Sequence, residues 1–145
     1  MRVRDFSAET DIDILSEAEE EAHRASPPGV TFPIGSVQSR LSMLQSGQCI
    51  AFSLEEGAAV GCIVLSPDTN NILPIGYIDC LFIRSEFRGQ GGLELLLNHA
   101  AAYFRSLGIR YMRLEVSALN ERAIRAYERF GFVTTQHTMD VSIGS

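Results

Sequence analysis

The feature that most constrains the fold is a strong β-strand pattern that runs into a glycine-rich turn and then a long amphipathic helix. An apolar run over residues 75–83 follows Pro74, and the turn Phe87-Arg-Gly-Gln-Gly-Gly92 comes soon after. Up to about residue 107 the apolar side chains then recur at helical spacing: Leu93, Leu96, Leu97, Ala100, Ala101 and Phe104. This order predicts a β–α unit whose turn is shaped by glycines.

The rest of the pattern predicts an α+β domain with a mixed sheet and flanking helices. The expected elements are a strand at Arg2–Phe6, helices at Ile12–Arg24 and Ser36–Ser46, a hairpin of Cys49–Leu54 and Ala58–Leu65, a strand at Ile75–Ile83, the helix to about Leu107, a strand at Tyr111–Ser117, a helix at Glu121–Phe130 and a final strand or hairpin at Phe132–Ile143. The order is β-α-α-β-β-β-α-β-α-β. A length of 145 residues fits a single domain spanning 1–145.

Two local predictions concern the first half of the chain. In the first helix, Ile12, Leu15, Ala18 and Ala22 are expected on one buried face, and the run Glu17, Glu19, Glu20, Glu21 is expected to be solvated. The stretch from Ala25 to Pro33 holds three prolines and a glycine, which predicts a loop.

Composition narrows the classes of partner. A formal net charge of −6 argues against nucleic-acid binding and mildly suits a cationic substrate. No apolar run approaches the roughly 20 residues of a membrane span, and no signal-peptide pattern follows Met1. Cys49, Cys62 and Cys80 are odd in number and lack CxxC spacing, so neither disulfides nor a zinc site are expected. His23, His99 and His137 are scattered and receive no role. The predicted location is cytoplasmic, and no metal is expected.

The glycine-rich turn is a candidate anion site. Glycines allow positive φ and a close approach of the backbone, and the N–H groups that open a helix attract negative charge. Arg88 adds a cation that can contact phosphate in two places. A tight turn without any ligand is the alternative. The turn lacks the Gly-Lys-Ser/Thr ending of a P-loop, and Glu94 stands at the third glycine of a GxGxxG motif.

Three ordered segments make the sequence resemble the GNAT superfamily of acetyl-CoA-dependent N-acetyltransferases. Tyr77-Ile-Asp-Cys-Leu-Phe-Ile83 is similar to the family's fourth strand, and Glu86-Phe-Arg-Gly-Gln-Gly-Gly92 is similar to its pyrophosphate loop. The segment from Leu114 to Phe132 is similar to the motif N-x-x-A-x-x-x-Y-x-x-x-G-F. The resemblance covers residues 77–132, whereas the N-terminal half matches only in the order of its elements.

The resemblance implies a sheet that splays between its fourth and fifth strands and admits the pantetheine arm of acetyl-CoA. It implies backbone contacts to that arm from Leu81, Phe82 and Ile83, one of whose N–H groups could polarise the thioester carbonyl. The implied cofactor-binding residues also include Arg88, Gly89, Gln90, Gly91, Gly92, Leu93 and Asn120. Leu93 departs from the Gly or Ala of the family's motif, and it would either crowd the phosphates or point into the core.

Two side chains are candidates for proton transfer. Asp79 stands where similar enzymes often carry Glu, and strand alternation would place it on the face of Tyr77, Leu81 and Ile83. It would remove a proton from the amine, through a bridging water since Asp is short, unless it is a structural carboxylate. Glu115 is the second candidate base. The resemblance assigns Tyr127 to the cofactor sulfur as acid, although its spacing also fits a core aromatic, and Asn120 also fits a helix cap.

The expected function is therefore direct transfer of an acetyl group from acetyl-CoA to a primary amine. The strand around Asp79 looks most like that of small-amine and polyamine acetyltransferases. The alternatives are a protein N-terminal or lysine acetyltransferase and a non-catalytic acyl-CoA-binding module. Expected partners are a small-molecule amine acceptor and, left open, a second copy of the chain in a homodimer.

Overall fold

A computed structural model describes residues 1–24, 36–70 and 72–144. Its strands and helices are β1 (Arg2–Asp5), α1 (Ile12–Arg24), α2 (Ser36–Ser46), β2 (Ile50–Glu56), β3 (Ala58–Asp68), β4 (Ile75–Ile83), α3 (Gly92–Ser106), β5 (Met112–Leu114) and α4 (Glu121–Phe130), with a 3₁₀ turn at Ser85–Phe87 between β4 and α3. The loop predicted at residues 25–33 lies outside the described residues.

The five strands form one mixed sheet in the order β1-β2-β3-β4-β5. The pairs from β1 to β4 are antiparallel, and β5 joins β4 in parallel. The α+β class with a mixed sheet flanked by helices is thus confirmed.

Helices cover both faces of this sheet. On one face, α3 contributes Leu96, Leu97, Ala100 and Phe104 to a buried cluster with Leu54 and Ile63 among others. On the other face, Ile14, Leu15 and Ala18 of α1 pack with Cys62 and Val64. Residues 60–65 of β3 are all buried because this central strand has a helical layer on each side, which explains their unbroken apolar run.

A buried ion pair joins β1 to the start of α1. Asp11 is 1% exposed, and its carboxylate accepts two hydrogen bonds from Arg4, at 2.6 and 2.9 Å. The Ser7 N–H and the Ser53 hydroxyl also donate to it. Burial raises the pKa of Asp11, but these hydrogen bonds outweigh that effect and hold it well below its usual value. Asp11 is therefore a structural carboxylate that fixes where α1 begins.

Three sequence predictions are wrong in detail. No helix or strand forms in the described residues 132–144, so the final strand predicted at Phe132–Ile143 is absent. The strand β5 has three residues instead of seven. In α1 the buried face contains Ile14, Leu15 and Ala18, whereas Ile12 is 37% exposed. In the part of the chain that the structure describes, no helix combines the length and apolarity needed to cross a membrane.

Candidate active site

The sheet opens between β4 and β5. β5 pairs only with Gly76, Tyr77 and Ile78, the lower part of β4. Within the described residues, no strand adjoins positions 79–83 of β4 on that side. The upper half of β4 therefore presents an unpaired backbone edge in the middle of the sheet, the splay that the sequence predicted.

The antiparallel register shows which residues of β4 face this opening. Arg84 N–H donates to Val60 O at 2.9 Å, which marks residues 60 and 84 as a hydrogen-bonded pair. Because bonded and non-bonded pairs alternate in an antiparallel ladder, Phe82 bonds to β3 opposite Cys62. The backbone groups of Leu81 and Ile83 point away from β3, into the opening. Of the three predicted contacts to an extended arm, Leu81 and Ile83 have backbone groups on this side, although the carbonyl of Ile83 already accepts a hydrogen bond from Arg88.

The glycine-rich turn leads directly from this edge to the start of α3. Gly89 and Gly91 have φ of 75° and 89°, which glycine adopts without steric cost, and Gly91 is the N-cap of α3. Gly91 has no side chain that could cap the helix, so among the described residues the first N–H groups of α3 are open to an anion. Gln90 lies at the tip, where its amide donates to Glu86 O at 3.1 Å.

Gly92 and Leu93 serve the packing of α3. A Cβ on Gly92 would lie 2.6 Å from Leu54 Cδ2, so only glycine lets the helix start so close to the sheet. Leu93 is half-buried and packs against the core cluster on the α3 face. Of the two outcomes left open for Leu93, the structure shows the one in which the side chain joins the core.

The acidic run of α1 contacts the arginines around the turn. Glu17 accepts from Arg84 Nε at 2.7 Å, and Glu21 accepts from Arg88 Nη2 at 2.6 Å. These two carboxylates remain partly exposed, at 43% and 39%, but each is paired with an arginine. Glu19, at 15% exposed, pairs with Arg40 of α2 at 3.2 Å, so the predicted solvated face is only partly solvated. In the sequence, the two glutamates are four residues apart and so are the two arginines. This spacing predicts the pairs only once α1 is known to lie over the turn.

Arg88 is held by several contacts at once. Its Nε donates to Ile83 O at 2.7 Å, and its guanidinium carbon lies 5.8 Å from the centre of the Phe82 ring. Together with Glu21, these contacts place Arg88 between the open edge of β4 and the groove beside α1. This groove of about 530 Å³ is lined by acidic and basic side chains of α1 and of the turn. The loop cation is thus preorganised next to the edge where an extended ligand arm would lie.

Tyr127 of α4 lies near Cys80 of β4 and Glu21 of α1. It is half-buried against the core cluster, and its ring meets Phe132 edge to face at 5.8 Å. Burial, helped by the nearby Cys80 thiol and the Glu21 carboxylate, raises the pKa of Tyr127 to about 12. The hydroxyl therefore stays protonated at neutral pH and can donate a hydrogen bond. Both Glu21 and Cys80 were missed as neighbours of this site by the sequence reasoning.

Asp79 occupies a β-bulge. Val64 pairs with Cys80 and the next residue, Leu65, pairs with Ile78, so Asp79 is the extra residue of β4. The predicted alternation therefore fails at this point. Leu81 and Ile83 pack on the α3 side, whereas Asp79 accepts from Ser66 and lies 3.9 Å from Arg40 on the α2 side. Its side chain is 26% exposed, so the carboxylate remains accessible.

The remaining candidates lie at the border of the opening. Glu115 is exposed just beyond β5 and not within the strand. Asn120 is the N-cap of α4, and its side-chain oxygen accepts from Ala123 N–H at 3.3 Å. That bond uses only the side-chain oxygen, and the amide NH₂ is a separate hydrogen-bond donor. The structure thus places the turn next to the open edge of β4, with Asp79 on that strand and Tyr127 near Cys80 of the same strand. Glu115 follows Leu114, which pairs with Ile78, so it lies across the opening from Asp79.

The cysteines are buried or half-buried free thiols. Cys62 and Cys80 lie diagonally across β3 and β4, and their mutual hydrogen bond together with burial raises the pKa of Cys62 well above its usual value. Within the described residues, no group of three or more His, Cys, Asp or Glu side chains has a metal-binding arrangement.

The geometry suits a ligand that carries both an anionic group and an extended polar arm. The uncapped start of α3, with Arg88 beside it, fits a pyrophosphate, and the edge at Leu81 and Ile83 fits an arm with amide groups. CoA has both parts, so the residues present fit it.

Comparison with known proteins points in the same direction. The model of the acetyltransferase (GNAT) family matches residues 12–132. The chain is 31% identical over 81 residues to N-alpha-acetyltransferase 30 of Schizosaccharomyces pombe, a match that covers 55% of this chain and 54% of that protein. The chain thus spans about half the length of this curated relative.

Solved structures share the fold across almost the whole chain. The tetramutant of BH1408 from Bacillus halodurans superposes with a TM-score of 0.81 at 18% identity, covering 99% of this chain and 100% of that one. AAC(6')-Iy in complex with the bisubstrate analogue CoA-S-monomethyl-acetylneamine gives 0.74 at 17% identity, covering 99% and 97%. A ribosomal-protein-alanine N-acetyltransferase from Brucella melitensis biovar Abortus 2308 gives 0.73 at 14% identity, covering 99% and 100%.

Proposed function

This chain belongs to the GNAT acetyltransferase family, and from that premise we propose that it transfers an acetyl group from acetyl-CoA to a primary amine. The observation that carries the proposal is the adjacency of two features. The unpaired edge of β4 at Leu81 and Ile83 leads into the uncapped N-terminus of α3. A pantetheine arm and a pyrophosphate are joined in one molecule in the same order.

The binding role falls on backbone groups. Leu81 and Ile83 would hold the arm as a neighbouring strand would, and one of their N–H groups would polarise the acyl carbonyl. The turn from Arg88 to Gly92 and the N–H of Leu93 would hold the pyrophosphate, with Arg88 moving from Glu21 to phosphate oxygens. Gln90 and Asn120 would add side-chain contacts. Acetyl-CoA supplies the acyl group already activated as a thioester.

Two side chains would accept and donate the protons in this reaction. An alkyl ammonium has a pKa of roughly 10, by analogy with lysine, so a proton must be removed before the nitrogen can attack near pH 7. The Asp79 carboxylate, oriented by Ser66, would accept that proton directly or through one water. The Tyr127 hydroxyl would donate to the departing sulfur, and its high pKa keeps it protonated for this role.

A small amine or polyamine is the favoured acceptor. The net charge of −6 would attract a cation, and an aminoglycoside N-acetyltransferase is among the proteins of similar fold. The local similarity to an N-alpha-acetyltransferase supports a second candidate, an N-terminal acetyltransferase acting on a peptide amine. A module that binds acyl-CoA without turnover is the third.

A panel assay for CoA release tests these candidates. The full chain is incubated with acetyl-CoA and, separately, with diamines, polyamines, aminoglycosides, peptides with free N-termini and peptides with an internal lysine. We expect release with the small cationic amines. Release with N-terminal peptides alone would show that the acceptor is a peptide amine, as the second candidate function requires. Binding of acetyl-CoA without any release would leave the binding module, and an absence of binding would overturn the proposal.

A further inference from the structure

Two free cysteines form a thiol pair on the strands beside the opening. The side chains of Cys62 in β3 and Cys80 in β4 hydrogen-bond to each other in the layer between the sheet and α1. Cys62 is 0% exposed, and burial together with this hydrogen bond raises its pKa, so it keeps its proton. Cys80 is only half-buried. Since a thiolate is the form of cysteine that attacks a disulfide, Cys80 is the reactive member of the pair.

The two cysteines are poorly placed for a disulfide with each other. Cys62 pairs with Phe82 in the register of the sheet, and Cys80 pairs with Val64. The cysteines are therefore diagonal neighbours, which lie about 7–8 Å apart in an antiparallel pair. A disulfide spans a Cα separation of about 4.4–6.8 Å, so an internal bond would require the backbone to move. This geometry favours a disulfide between Cys80 and a thiol from outside the chain.

Cys80 lies where the thiol of a bound CoA would end. Tyr127, which the proposed function assigns to the cofactor sulfur, is near Cys80. An arm whose pyrophosphate lies at the start of α3 follows the edge of β4 from Ile83 past Leu81 and then reaches the level of Cys80. Among the described residues, no strand covers this edge from position 79 upward. The sulfur of the arm can therefore approach the sulfur of Cys80.

We infer that Cys80 is a site of reversible modification by CoA, to which it becomes joined through a mixed disulfide. The inference rests on the proposed function, because it uses the same binding site. The reactant is oxidised CoA, the disulfide of two CoA molecules. The Cys80 thiolate attacks one of the two sulfurs, a bond forms between Cys80 Sγ and that sulfur, the original S–S bond breaks, and the second CoA leaves as a thiolate. No net electrons are gained or lost.

The modification would switch the enzyme off. The attached CoA occupies the open edge of β4 and the start of α3, so acetyl-CoA cannot enter. A small thiol reductant reverses the exchange by attacking the mixed disulfide and releasing CoA as a thiol.

Intact-protein mass spectrometry without reductant tests the modification. The reduced full chain is incubated with oxidised CoA and, separately, with oxidised glutathione. We expect one added CoA, located on the peptide that contains Cys80 and removed by dithiothreitol. Oxidised CoA should react about tenfold faster or more, because the anion site and the open edge hold it beside the sulfur. Equal rates, CoA attached to Cys49 or Cys62, or an internal disulfide would overturn the inference.

Four variants test the assignment. Cys80→Ser replaces one atom and should remain unmodified, whereas Cys49→Ala should take up CoA as the wild type does. Gly91→Glu places a carboxylate at the proposed phosphate site and should react with oxidised CoA no faster than with oxidised glutathione. Gly108→Glu, at the other end of α3 with similar open space and a positive φ, should keep the preference. A wild-type preference in Gly91→Glu would contradict guidance by the CoA site.

Calorimetry with acetyl-CoA separates this inference from the proposed function. The reduced protein should bind acetyl-CoA, and the modified protein should bind it only after treatment with dithiothreitol. If the reduced protein binds acetyl-CoA but Cys80 stays unmodified, the mixed disulfide is wrong and the proposed function stands. If the reduced protein does not bind acetyl-CoA, both are overturned.

Discussion

At the residue scale, Tyr127 has an environment that fits hydrogen-bond donation better than acidity alone. Its pKa of about 12 lies above that of a thiol leaving group, roughly 8.5, so the phenol is a weak acid for a thiolate. Its contribution would come from position, through a hydrogen bond that strengthens as charge develops on sulfur. Contact with Phe132, and not only with its own helix, holds the ring in place.

Tyr127→Phe should therefore lower kcat by about 10²- to 10⁴-fold while acetyl-CoA affinity and stability change little. The ring keeps its packing, and only the hydroxyl is lost. Turnover with the true amine and calorimetric binding of CoA should be measured on one preparation. Because the pKa is raised, wild-type kcat should show no alkaline loss of this donor below about pH 10. A folded variant with wild-type kcat would show that Tyr127 serves only as a core residue.

Asp79→Asn should reduce kcat/KM for the amine mainly at neutral and lower pH. The amide preserves the shape of the bulge but cannot accept the proton, and the loss should shrink as pH approaches the amine pKa of roughly 10. Glu115→Gln is the matched comparison, because Glu115 is an exposed carboxylate just beyond β5 and the second candidate base. An unchanged pH–rate profile for Asp79→Asn would show that Asp79 is held by Ser66 and Arg40 for structure alone.

The β-bulge at Asp79 also shows which residue-level features could not be predicted from the sequence. Asp79 could be selected from its place in an apolar strand, but its face could not, because the bulge depends on the register of β4 against β3. Glu21 was assigned to solvent for the same reason. Its partner Arg88 is 67 residues away in the chain, and only the fold brings the two together.

At the scale of elements, the start of α3 is the proposed phosphate site, and Gly91→Glu should abolish CoA binding. The substitution places a carboxylate where the helix N-terminus would hold phosphate. Gly108→Glu is the matched control, since Gly108 follows the same helix with φ of 78° and has similar open space around it. Both should lose about 1–2 kcal/mol through the left-handed backbone. Equal CoA affinity in the two variants would place the phosphates elsewhere.

The ion pair between Arg4 and Asp11, which connects β1 to α1, makes the stability of the fold depend on pH. Asp11→Asn should lower the free energy of unfolding at pH 7 by about 2–4 kcal/mol, because a buried ion pair loses its charge. Asp13→Asn, on the exposed side of α1, should cost less than about 1 kcal/mol. Urea unfolding measures both.

The direction in which the free energy of unfolding changes with pH follows from the lowered pKa of Asp11. In acid the unfolded chain takes up this proton before the folded one, so the stabilisation is present above the unfolded pKa of roughly 3.9 and is lost as pH falls below it. The difference between wild type and Asp11→Asn should therefore narrow toward pH 2. A constant difference would show that the charge of Asp11 is irrelevant to folding.

Elements with strong local signals were predictable, and those that depend on a partner were not. The bounds of α1, α2, β4 and α4 agree with the periodicity, the cap at Asn120 and the stop at Gly131. Residues 132–143 have a strand pattern of similar quality, yet no strand forms there. A strand requires a neighbouring edge to pair with, and alternation in the sequence does not show whether such an edge is within reach.

At the scale of the whole molecule, the order of motifs was the most informative signal. A strand with a carboxylate, a glycine turn at a helix start and the motif around Asn120 and Tyr127 predicted the splayed sheet and the family. The acceptor was less predictable, because α1 and α2 border the side on which Asp79 lies and their contacts depend on the fold.

Isotope tracing tests whether the protein transfers the acetyl group of acetyl-CoA to an amine nitrogen. The protein is incubated with acetyl-CoA that carries a heavy-isotope acetyl group and with the amine that releases most CoA, and all products are identified by mass spectrometry. We expect one labelled acetyl group on the amine for each CoA released, with little labelled acetate. CoA release accompanied by labelled acetate and an unmodified amine would show hydrolysis and would contradict acetyl transfer.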